Sequence, residues 1–380
     1  MLTTLAVQNY RSLRQLVVPL GQLTVVTGAN GSGKSSMYRV LRLLANCAGN
    51  GAVATLAREG GLDSTLWAGP GRTARNESLG LRVGFGGDDF GYAVDLGIPV
   101  PTGYTRDLPS MFNRDPEIKA EAVWAGPVLR PSTMLAERGG PVVRLRGGEG
   151  GWSMVPHPMK SFDSMLSELA DPQNAPDLLV LRERMRSWRF YDHLRTDADA
   201  PARSPQVGTR TMALAHDGAD LAAALQTIRE IGDADGMRQA IDNAFPGSEI
   251  DIVNQDGRFA VALHQPGLHR PLDSAELSDG TLRYLLLVAA LCTPRPPELL
   301  VLNEPETSLH PELLIPLGIL IAAAARETQI VVVTHSQPLI NAMAHGEVEP
   351  HTIELVKENG ATTVAEQGIL DAPAWHWPKR

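Results

Sequence analysis

The order of apolar and polar positions predicts a strand, a loop and a helix near the start of the chain. An apolar stretch from Leu23 to Val26 precedes a glycine-rich loop, and an amphipathic pattern then runs from about Ser35 to Ala45. From Gly49 to about Gly151, short alternating runs of β-branched and aromatic residues are separated by glycines. Such runs predict a small, mostly antiparallel sheet region.

The middle of the chain has the spacing of helices. Four apolar residues recur at helix-compatible positions: Leu178, Leu181, Met185 and Trp188. A further amphipathic run extends from Asp217 to Ile231, so we interpret the stretch from about Phe162 to Phe245 as a helical lobe. Sustained heptads are missing, which excludes a long coiled-coil arm.

The last third of the chain alternates again between strands and helices. The predicted segments are strands at Ile250 to Val253, Phe259 to Leu263, Leu299 to Leu302 and Ile330 to Val333, a helix from near Ser278, and a hairpin of Thr352 to Val356 with Thr362 to Ala365. We predict an α/β fold with a mixed sheet, whose core is interrupted by the helical lobe. Its lobes are expected at residues 1–160, 161–248 and 249–380.

Composition places the chain among ordinary globular proteins, with 43% hydrophobic and 20% charged residues. No apolar run reaches the length of a transmembrane helix, and no secretory signal is recognisable, so we expect a cytoplasmic protein. The two cysteines, Cys47 and Cys292, lie in predicted helices, and we expect neither a disulfide nor a zinc site. A net charge of −9 gives no general attraction to nucleic acid.

The glycine-rich loop from Gly28 to Ser35 fits the pattern G-x-x-x-x-G-K-[ST], with a strand before it and a helix after it. In such a P-loop, backbone N–H groups close around phosphate oxygens, and the helix N-terminus favours the same anion. Lys34 is expected to reach the β- and γ-phosphates, and the Ser35 hydroxyl to ligate magnesium. The predicted nucleotide-binding residues of this segment are Gly28, Asn30, Gly31, Ser32, Gly33, Lys34, Ser35 and Ser36.

Three later segments are weak signals when taken singly. The apolar strand from Leu299 to Leu302 ends in Asn303 and Glu304, the tetrapeptide Leu277 to Gly280 opens a helix, and a second apolar strand ends at His335. Taken singly, they are better explained as an ordinary strand, an ordinary capped helix and a structural histidine. Their order along the chain behind a P-loop favours a nucleotide hydrolase.

This order resembles the ABC ATPases. More closely, three segments look like the RecF/OLD-like predicted ATPases, often labelled AAA family: Asn9 to Ser12, Glu304 to Pro311 and Val333 to Ser336. The resemblance covers roughly residues 1–45 and 272–340, and it implies an ABC-type ATPase head. OLD-type nucleases carry a Toprim domain after the ATPase, and the 45 residues after His335 are too few for one, so we expect no fused nuclease.

The resemblance also implies roles for individual residues. Glu304 would be the general base, His335 the histidine that senses the γ-phosphate, and Arg11 would lie near the phosphates. Ser278 and Gly280 would contact ATP held by a second copy, so that two chains would enclose two nucleotides. The turn from Ser308 to His310 would cross between the copies. The family's Q-loop glutamine has no recognisable counterpart, which argues against a transporter's ATPase.

Asn303 departs from the family pattern, in which this position is an aspartate of the magnesium shell. An amide keeps an acceptor oxygen but removes a full negative charge beside a hard dication. Because Glu304 is retained, we expect ATP hydrolysis with Mg²⁺ to be slow rather than absent. A single sequence leaves open whether Asn303 is natural or engineered.

Two hypotheses about the ATPase's task come from different classes. The first is an ATP-gated homodimer in DNA repair, recombination or phage defence, with DNA and a separately encoded nuclease as candidate partners. One local feature favours DNA: Arg182, Arg186 and Arg189 form a stripe on a predicted helix, with Trp188, Phe190 and Tyr191 interleaved. A solvated helix face explains the stripe as well. The second hypothesis is an ATP-sensing assembly module that regulates a protein partner without DNA.

Overall fold

The computed structural model describes residues 1–69, 80–99, 111–112, 114–147, 150–169, 171–368 and 371–380. The strands are β1 Leu2–Tyr10, β2 Leu13–Pro19, β3 Leu23–Gly28, β4 Gly80–Gly87, β5 Phe90–Gly97, β6 Glu117–Ala125, β7 Met134–Gly139, β8 Val142–Arg146, β9 Trp152–Met154, β10 Arg189–Tyr191, β11 Gln206–Val207, β12 Glu249–Gln255, β13 Arg258–His264, β14 Leu272–Asp273, β15 Leu299–Asn303, β16 Gln329–Val333, β17 His351–Glu358 and β18 Ala361–Val364.

Helices connect these strands. They are α1 Lys34–Cys47, α2 Ala52–Arg58, α3 Leu62–Thr65, α4 Met165–Glu168, α5 Pro176–Ser187, α6 Leu221–Ile231, α7 Ala234–Ala244, α8 Asp279–Leu291, α9 Leu314–Ala324 and α10 Gln337–Met343, with short 3-10 turns at Pro201–Arg203 and Pro311–Leu313. None of the described helices is long and apolar enough to cross a membrane.

The chain forms two compact units. The first contains Met1–Gly21, Val26–Trp188 and Ile353–Arg380, and the second contains Gln22–Val25 and Arg189–Thr352. Each unit therefore combines segments that are distant in sequence. The division into three lobes at residues 160 and 248 stays a prediction.

The first unit is built on an antiparallel sheet of eight strands in the order β2-β1-β4-β5-β6-β7-β8-β9. The antiparallel character agrees with the alternating runs in the sequence. The sheet is larger than expected because β1 and β2, which precede the P-loop, pair into it through β1 and β4. Residues 70–79 and 100–110 of the predicted sheet region lie outside the described residues.

A buried ion pair ties the sheet of the first unit to the segment before α4. The Arg138 and Glu121 side chains are fully buried, with Nη1 and Oε2 3.4 Å apart. Arg138 also donates to the backbone oxygens of Gly140, Lys160 and Asp163, while Glu121 accepts from the Tyr92 hydroxyl and from the Met165 N–H. These bonds satisfy both charges without water.

The second unit contains three parallel strands in the order β10-β15-β16. β15 and β16 are apolar on both faces and almost fully buried, as the continuous run in the sequence predicts for parallel strands. The apolar side chains on one face of these strands share one core with α6, α8 and α9; they are Leu300, Leu302, Ile330 and Val332. The short strands β11, β13, β12 and β14 form a separate small antiparallel sheet.

The structure corrects the predicted arginine stripe. α5 ends at Ser187, because Trp188 has the extended backbone angle ψ 140, and Arg189 lies in β10. Arg189 therefore does not continue the helix face of Arg182 and Arg186. The interleaved aromatic residues belong to the interior, since Trp188, Phe190 and Tyr191 are at most 5% exposed.

The buried pair yields a stability prediction. Arg138→Ala leaves the Glu121 carboxylate buried without its cation, so we expect the free energy of unfolding to fall by about 3–5 kcal/mol. Arg144→Ala on the next strand is the matched control, because Arg144 is 52% exposed and its ion pair with Glu137 is solvated. This control should cost at most about 1 kcal/mol in the same urea titration. Equal losses would contradict the account.

Candidate nucleotide-binding site

The P-loop lies in the first unit, between the end of β3 and the start of α1. Three of its glycines have positive φ angles: 137° at Gly28, 78° at Gly31 and 113° at Gly33. Other residues adopt such angles only with strain. At Gly28 a Cβ atom would also lie 2.2 Å from the Leu355 backbone oxygen. The loop path thus requires glycine for the backbone angle and for the close approach.

Lys34 begins α1, and its side chain folds over the loop. The Nζ atom donates to the backbone oxygens of Gly28 at 2.7 Å and of Ala29 at 3.1 Å. Asn30, Gly31 and Ser35 are exposed, whereas Ser32 and Ser36 are buried. The Ser32 hydroxyl has no hydrogen-bond partner among the described residues. The ammonium and the start of α1 therefore face the same loop, as binding of an anion requires.

A neighbouring hairpin braces the P-loop. The Thr362 hydroxyl of β18 lies 2.6 Å from the Ser32 backbone oxygen and 2.8 Å from Ser12 Oγ. Thr362 N–H also donates to the Ser12 backbone oxygen at 2.7 Å. This brace was not foreseen from the sequence, because 350 residues separate Ser12 from Thr362.

Arg11 precedes Ser12 and is held by a carboxylate. Its Nη2 lies 2.8 Å from Glu59 Oε2, and the Tyr10 hydroxyl donates to the same oxygen at 2.5 Å. Burial and the bond to Glu59 raise the pKa of Tyr10, so its hydroxyl stays protonated. The structure therefore places Arg11 in the turn that contacts the P-loop through Ser12. Glu59 was missed, since nothing in its local sequence marks it.

In the second unit, β15 and β16 end together. Asn303 pairs with Val333 in the parallel register, and the N–H of Glu304 donates to the Val333 backbone oxygen at 2.8 Å. Glu304 has a φ of 47°, an uncommon angle for a residue with a side chain. Asn303 Oδ1 is buried and lacks a hydrogen-bond partner among the described residues.

Arg283 on α8 supports the turn after β15. Its guanidinium donates to the backbone oxygens of Glu304 at 3.2 Å and of Pro305 at 3.4 Å. The side chain is 6% exposed, and burial lowers the pKa of Arg283 while the charges of Glu306 and Glu304 oppose that effect. Arg283 was missed by the sequence analysis, because an arginine within an apolar helix has no signal of its own.

His335 is held by a carboxylate of the same turn. Glu306 Oε1 accepts from the Thr334 hydroxyl at 2.5 Å and from the His335 N–H at 3.2 Å. His335 Nδ1 lies 3.4 Å from the same oxygen, and the ring is 58% exposed. Glu306 therefore connects the turn after β15 to the end of β16. Its place in the segment quoted for the family resemblance was the only signal for it.

The start of α8 adjoins the turn at Ser308. Of the two cap candidates in the sequence, Ser278 and Asp279, Ser278 caps the helix, since its Oγ accepts from the Thr281 N–H at 3.1 Å. A Cβ on Gly280 would lie 3.1 Å from the Ser308 backbone oxygen. A cleft of about 610 Å³ opens between the start of α8 and the segment from Ser308 to Leu313. The described residues thus bring Ser278, Gly280 and the Ser308 turn together within this unit.

The predicted site residues fall into two sets. Arg11 and the P-loop residues lie in the first unit, and Ser278, Gly280, Asn303, Glu304 and His335 lie in the second. Within the second unit, the backbone of β15 and β16 brings Asn303, Glu304 and His335 to one edge of the sheet. Their roles in binding and hydrolysis stay predictions.

Two protein-family models match the sequence. Residues 160–341 match the family described as "AAA domain, putative AbiEii toxin, Type IV TA system". Residues 1–89 match the family described as "AAA ATPase domain". No curated protein matches the chain.

Solved head domains of Smc proteins are similar in structure. A Smc head bound to the C-winged helix domain of ScpA has 12% identity and a TM-score of 0.52, covering 97% of this chain and 98% of that one. The head domain from Thermotoga maritima has 14% identity, 97% and 99% coverage and a TM-score of 0.45. A Pyrococcus furiosus head with an extended coiled coil is bound to the C-terminal domain of ScpA. It has 12% identity and a TM-score of 0.49, and the match covers 96% of this chain and 95% of that one.

The first of these likenesses shows the fold, which is the mixed α/β fold of an ABC-type ATPase head. This confirms the predicted fold class. The two family matches cover the P-loop and the segment from α4 into α10. One describes an AAA ATPase domain and the other an AAA domain. Together with the fold, these matches support an ATP-binding ATPase.

The geometry of Gly28 yields a prediction for nucleotide binding. Gly28→Ala adds a Cβ that overlaps the Leu355 backbone oxygen, so the loop must move. We expect ATP affinity to fall at least about tenfold and the unfolding free energy to fall by about 1–3 kcal/mol.

Gly126→Ala is the matched control, because Gly126 lies outside the P-loop, nothing lies within 4 Å of its added Cβ and only the strain of a φ of 78° remains. This control should lose about 1–2 kcal/mol of unfolding free energy at most and no ATP affinity. Equilibrium binding of a fluorescent ATP analogue and urea unfolding measure both quantities. An ATP-affinity loss for Gly126→Ala as large as that for Gly28→Ala would contradict the prediction.

Proposed function

We propose that this chain binds ATP with Mg²⁺ and hydrolyses it slowly at a composite site completed by a second copy of the chain. The observation that carries the proposal is the cleft between the start of α8 and the Ser308 turn. It presents Ser278 and Gly280 beside a helix N-terminus, which favours a phosphate anion. The fold and both family matches support the ATPase part of the proposal.

The residues of the P-loop fit a triphosphate. The positive φ angles at Gly28, Gly31 and Gly33 leave the loop backbone free of side chains where phosphate oxygens need N–H donors. Lys34 supplies the cation, and its present carbonyl partners are weaker acceptors than phosphate oxygens. We assign Asn30, Ser32 and Ser36 to the same binding set, with Arg11 beside it.

Ser35 and Asn303 fit a magnesium ion. Ser35 presents an exposed hydroxyl, and Asn303 presents a buried, unpartnered Oδ1, which is of a suitable type to accept from a metal-bound water. Bound Mg²⁺ would neutralise charge on the β- and γ-phosphates. Because oxygen is the ligand atom that Mg²⁺ prefers, both residues are suitable in type.

Glu304 is our candidate general base. The backbone N–H of Glu304 donates to Val333, and its backbone C=O accepts from Arg283. The backbone that carries the Glu304 side chain is therefore held in place. A carboxylate there can accept a proton from the water that attacks the γ-phosphate, releasing ADP and phosphate. His335, held at the neighbouring strand end with an exposed ring, would bond the γ-phosphate. Considered by itself, the uncharged amide of Asn303 favours a slow rate.

A role in DNA repair or phage defence is the narrower part of the proposal, as is membership of the RecF/OLD-like branch. It rests on the resemblance of the three quoted segments. The Smc head that shares the fold is bound to a domain of ScpA, a separate protein, which supports a separately encoded partner here.

One observation favours the alternative, an ATP-sensing module that acts on a protein partner without DNA. The aromatic residues near the arginines are buried and unavailable for stacking on bases. Arg184 is paired with Asp89, while Arg182 and Arg186 both lie within 3.4 Å of Glu183. Measuring ATPase activity with and without DNA, at several salt concentrations, separates the two hypotheses.

The composite site predicts ATP-dependent dimerisation. In Glu304→Gln, loss of the general base should trap ATP, so light scattering after size exclusion should detect a dimer with ATP and Mg²⁺ and a smaller species without them. Ser278→Arg in that background places a long cation in the cleft and should prevent the dimer. A monomer under all conditions would remove the composite site.

Ala323→Arg is the matched control for Ser278→Arg. It adds the same side chain at an exposed position in the last turn of α9. We expect this variant to dimerise like its parent and to bind ATP equally well. Loss of the dimer in both variants would show that added charge alone, and not the cleft, is responsible.

A further inference from the structure

Glu306 is a buried carboxylate with one oxygen left unpartnered. Its side chain is 8% exposed, and Oε1 accepts from Thr334 and from the His335 N–H. Oε2 is buried and has no hydrogen-bond partner among the described residues. Since an ionised carboxylate away from water is costly unless its oxygens are satisfied, Oε2 is a position where a ligand is expected.

The nearby cation does not bond to this oxygen. Arg283 is close enough for its charge to interact with Glu306, yet its guanidinium bonds go to backbone oxygens of Leu194, Glu304 and Pro305. The positive charge of Arg283 thus offsets part of the negative charge of Glu306, but Arg283 donates no hydrogen bond to Oε2. Glu306 Oε2 is therefore a buried carboxylate oxygen without a hydrogen-bond donor among the described residues.

A second unpartnered acceptor lies three residues earlier. Asn303 Oδ1 is also buried and unsatisfied at the end of β15. Two unsatisfied oxygens in one turn point to the same class of ligand, which is a hydrated cation whose water molecules donate to both. The amide contributes no charge, whereas the carboxylate contributes one.

We propose that Glu306 supplies the negative charge that Asn303 lacks, so that Asn303 Oδ1 and Glu306 Oε2 together hold the water shell of the Mg²⁺ bound with ATP. The inference rests on the proposed function and assigns a new residue to its metal site. Glu306 Oε1 meanwhile keeps its bonds to Thr334 and His335. One carboxylate therefore accepts from the water shell of the cation and also positions His335.

The test measures the affinity for a fluorescent ATP analogue in EDTA and in Mg²⁺, and the ratio of the two affinities is the magnesium enhancement. Glu306→Gln preserves shape but removes the charge, and we expect the enhancement to fall at least about tenfold, the lower end for residues behind a metal's ligands. Affinity in EDTA should stay unchanged. Asn303→Asp added to Glu306→Gln should restore most of the enhancement.

Asn303→Asp alone keeps the proposal testable if Glu306→Gln does not fold. Because the charge is already present, this variant should change the enhancement by less than about threefold, within the range of a non-additive pair. A tenfold gain in Asn303→Asp alone, or an unchanged enhancement in Glu306→Gln, would overturn the inference.

Two controls separate charge from geometry. Thr334→Val removes a donor to Oε1 and leaves the carboxylate charge, so the enhancement should persist. Glu347→Gln neutralises a carboxylate that is 76% exposed and lies outside the cleft, and it should have no effect. If Thr334→Val instead loses as much enhancement as Glu306→Gln, Glu306 matters because it holds the end of β16 in place. The inference that its charge serves the metal site is then wrong.

Failure of the proposed function has a different outcome. If the unaltered chain binds no ATP in either EDTA or Mg²⁺, the proposed function and this inference both fail. If it binds ATP with a clear magnesium enhancement that Glu306→Gln retains, only the inference fails.

Discussion

The parallel pairing of β15 with β16 is the constraint on which the second unit's site depends. Asn303 and Val333 occupy the same register position, so the residues that follow both strands emerge at one edge of the sheet. The bond from the Glu304 N–H to the Val333 oxygen extends this pairing by one step beyond β15. Since both strands are buried on both faces, apolar packing holds these polar residues in place.

The turn after β15 combines strain with buried polar groups. Glu304 has a left-handed backbone, which costs roughly 1–3 kcal/mol and persists only where surrounding contacts determine it. Here its N–H and its C=O are both bonded, the latter by Arg283. Arg283 is itself buried, and its carbonyl partners compensate part of its lost hydration. Each costly feature of the turn is therefore stabilised by another, so these residues are expected to act as a unit.

Features with a local cause could be predicted from the sequence. The P-loop glycines, the Ser278 cap and the apolar strands each act within a few residues, and the structure has them at the expected positions. Bonds between distant segments have no such signal, as Thr362 with Ser12 and Glu306 with Thr334 show. The end of α5 was missed for a related reason. Helical spacing continued by chance to Arg189, although that residue pairs with Leu300 in the sheet.

The affinity of a strand-end site for a cation depends on all the charges in the turn, not on one motif residue. Considered alone, Asn303 indicates a weak cation site, because an amide replaces a carboxylate. The same turn, however, carries Glu304 and Glu306, and the nearby guanidinium of Arg283 is bonded to backbone oxygens. In a buried environment a charge three residues away is poorly screened. The loss of one carboxylate from a motif therefore does not determine the charge that a bound cation meets.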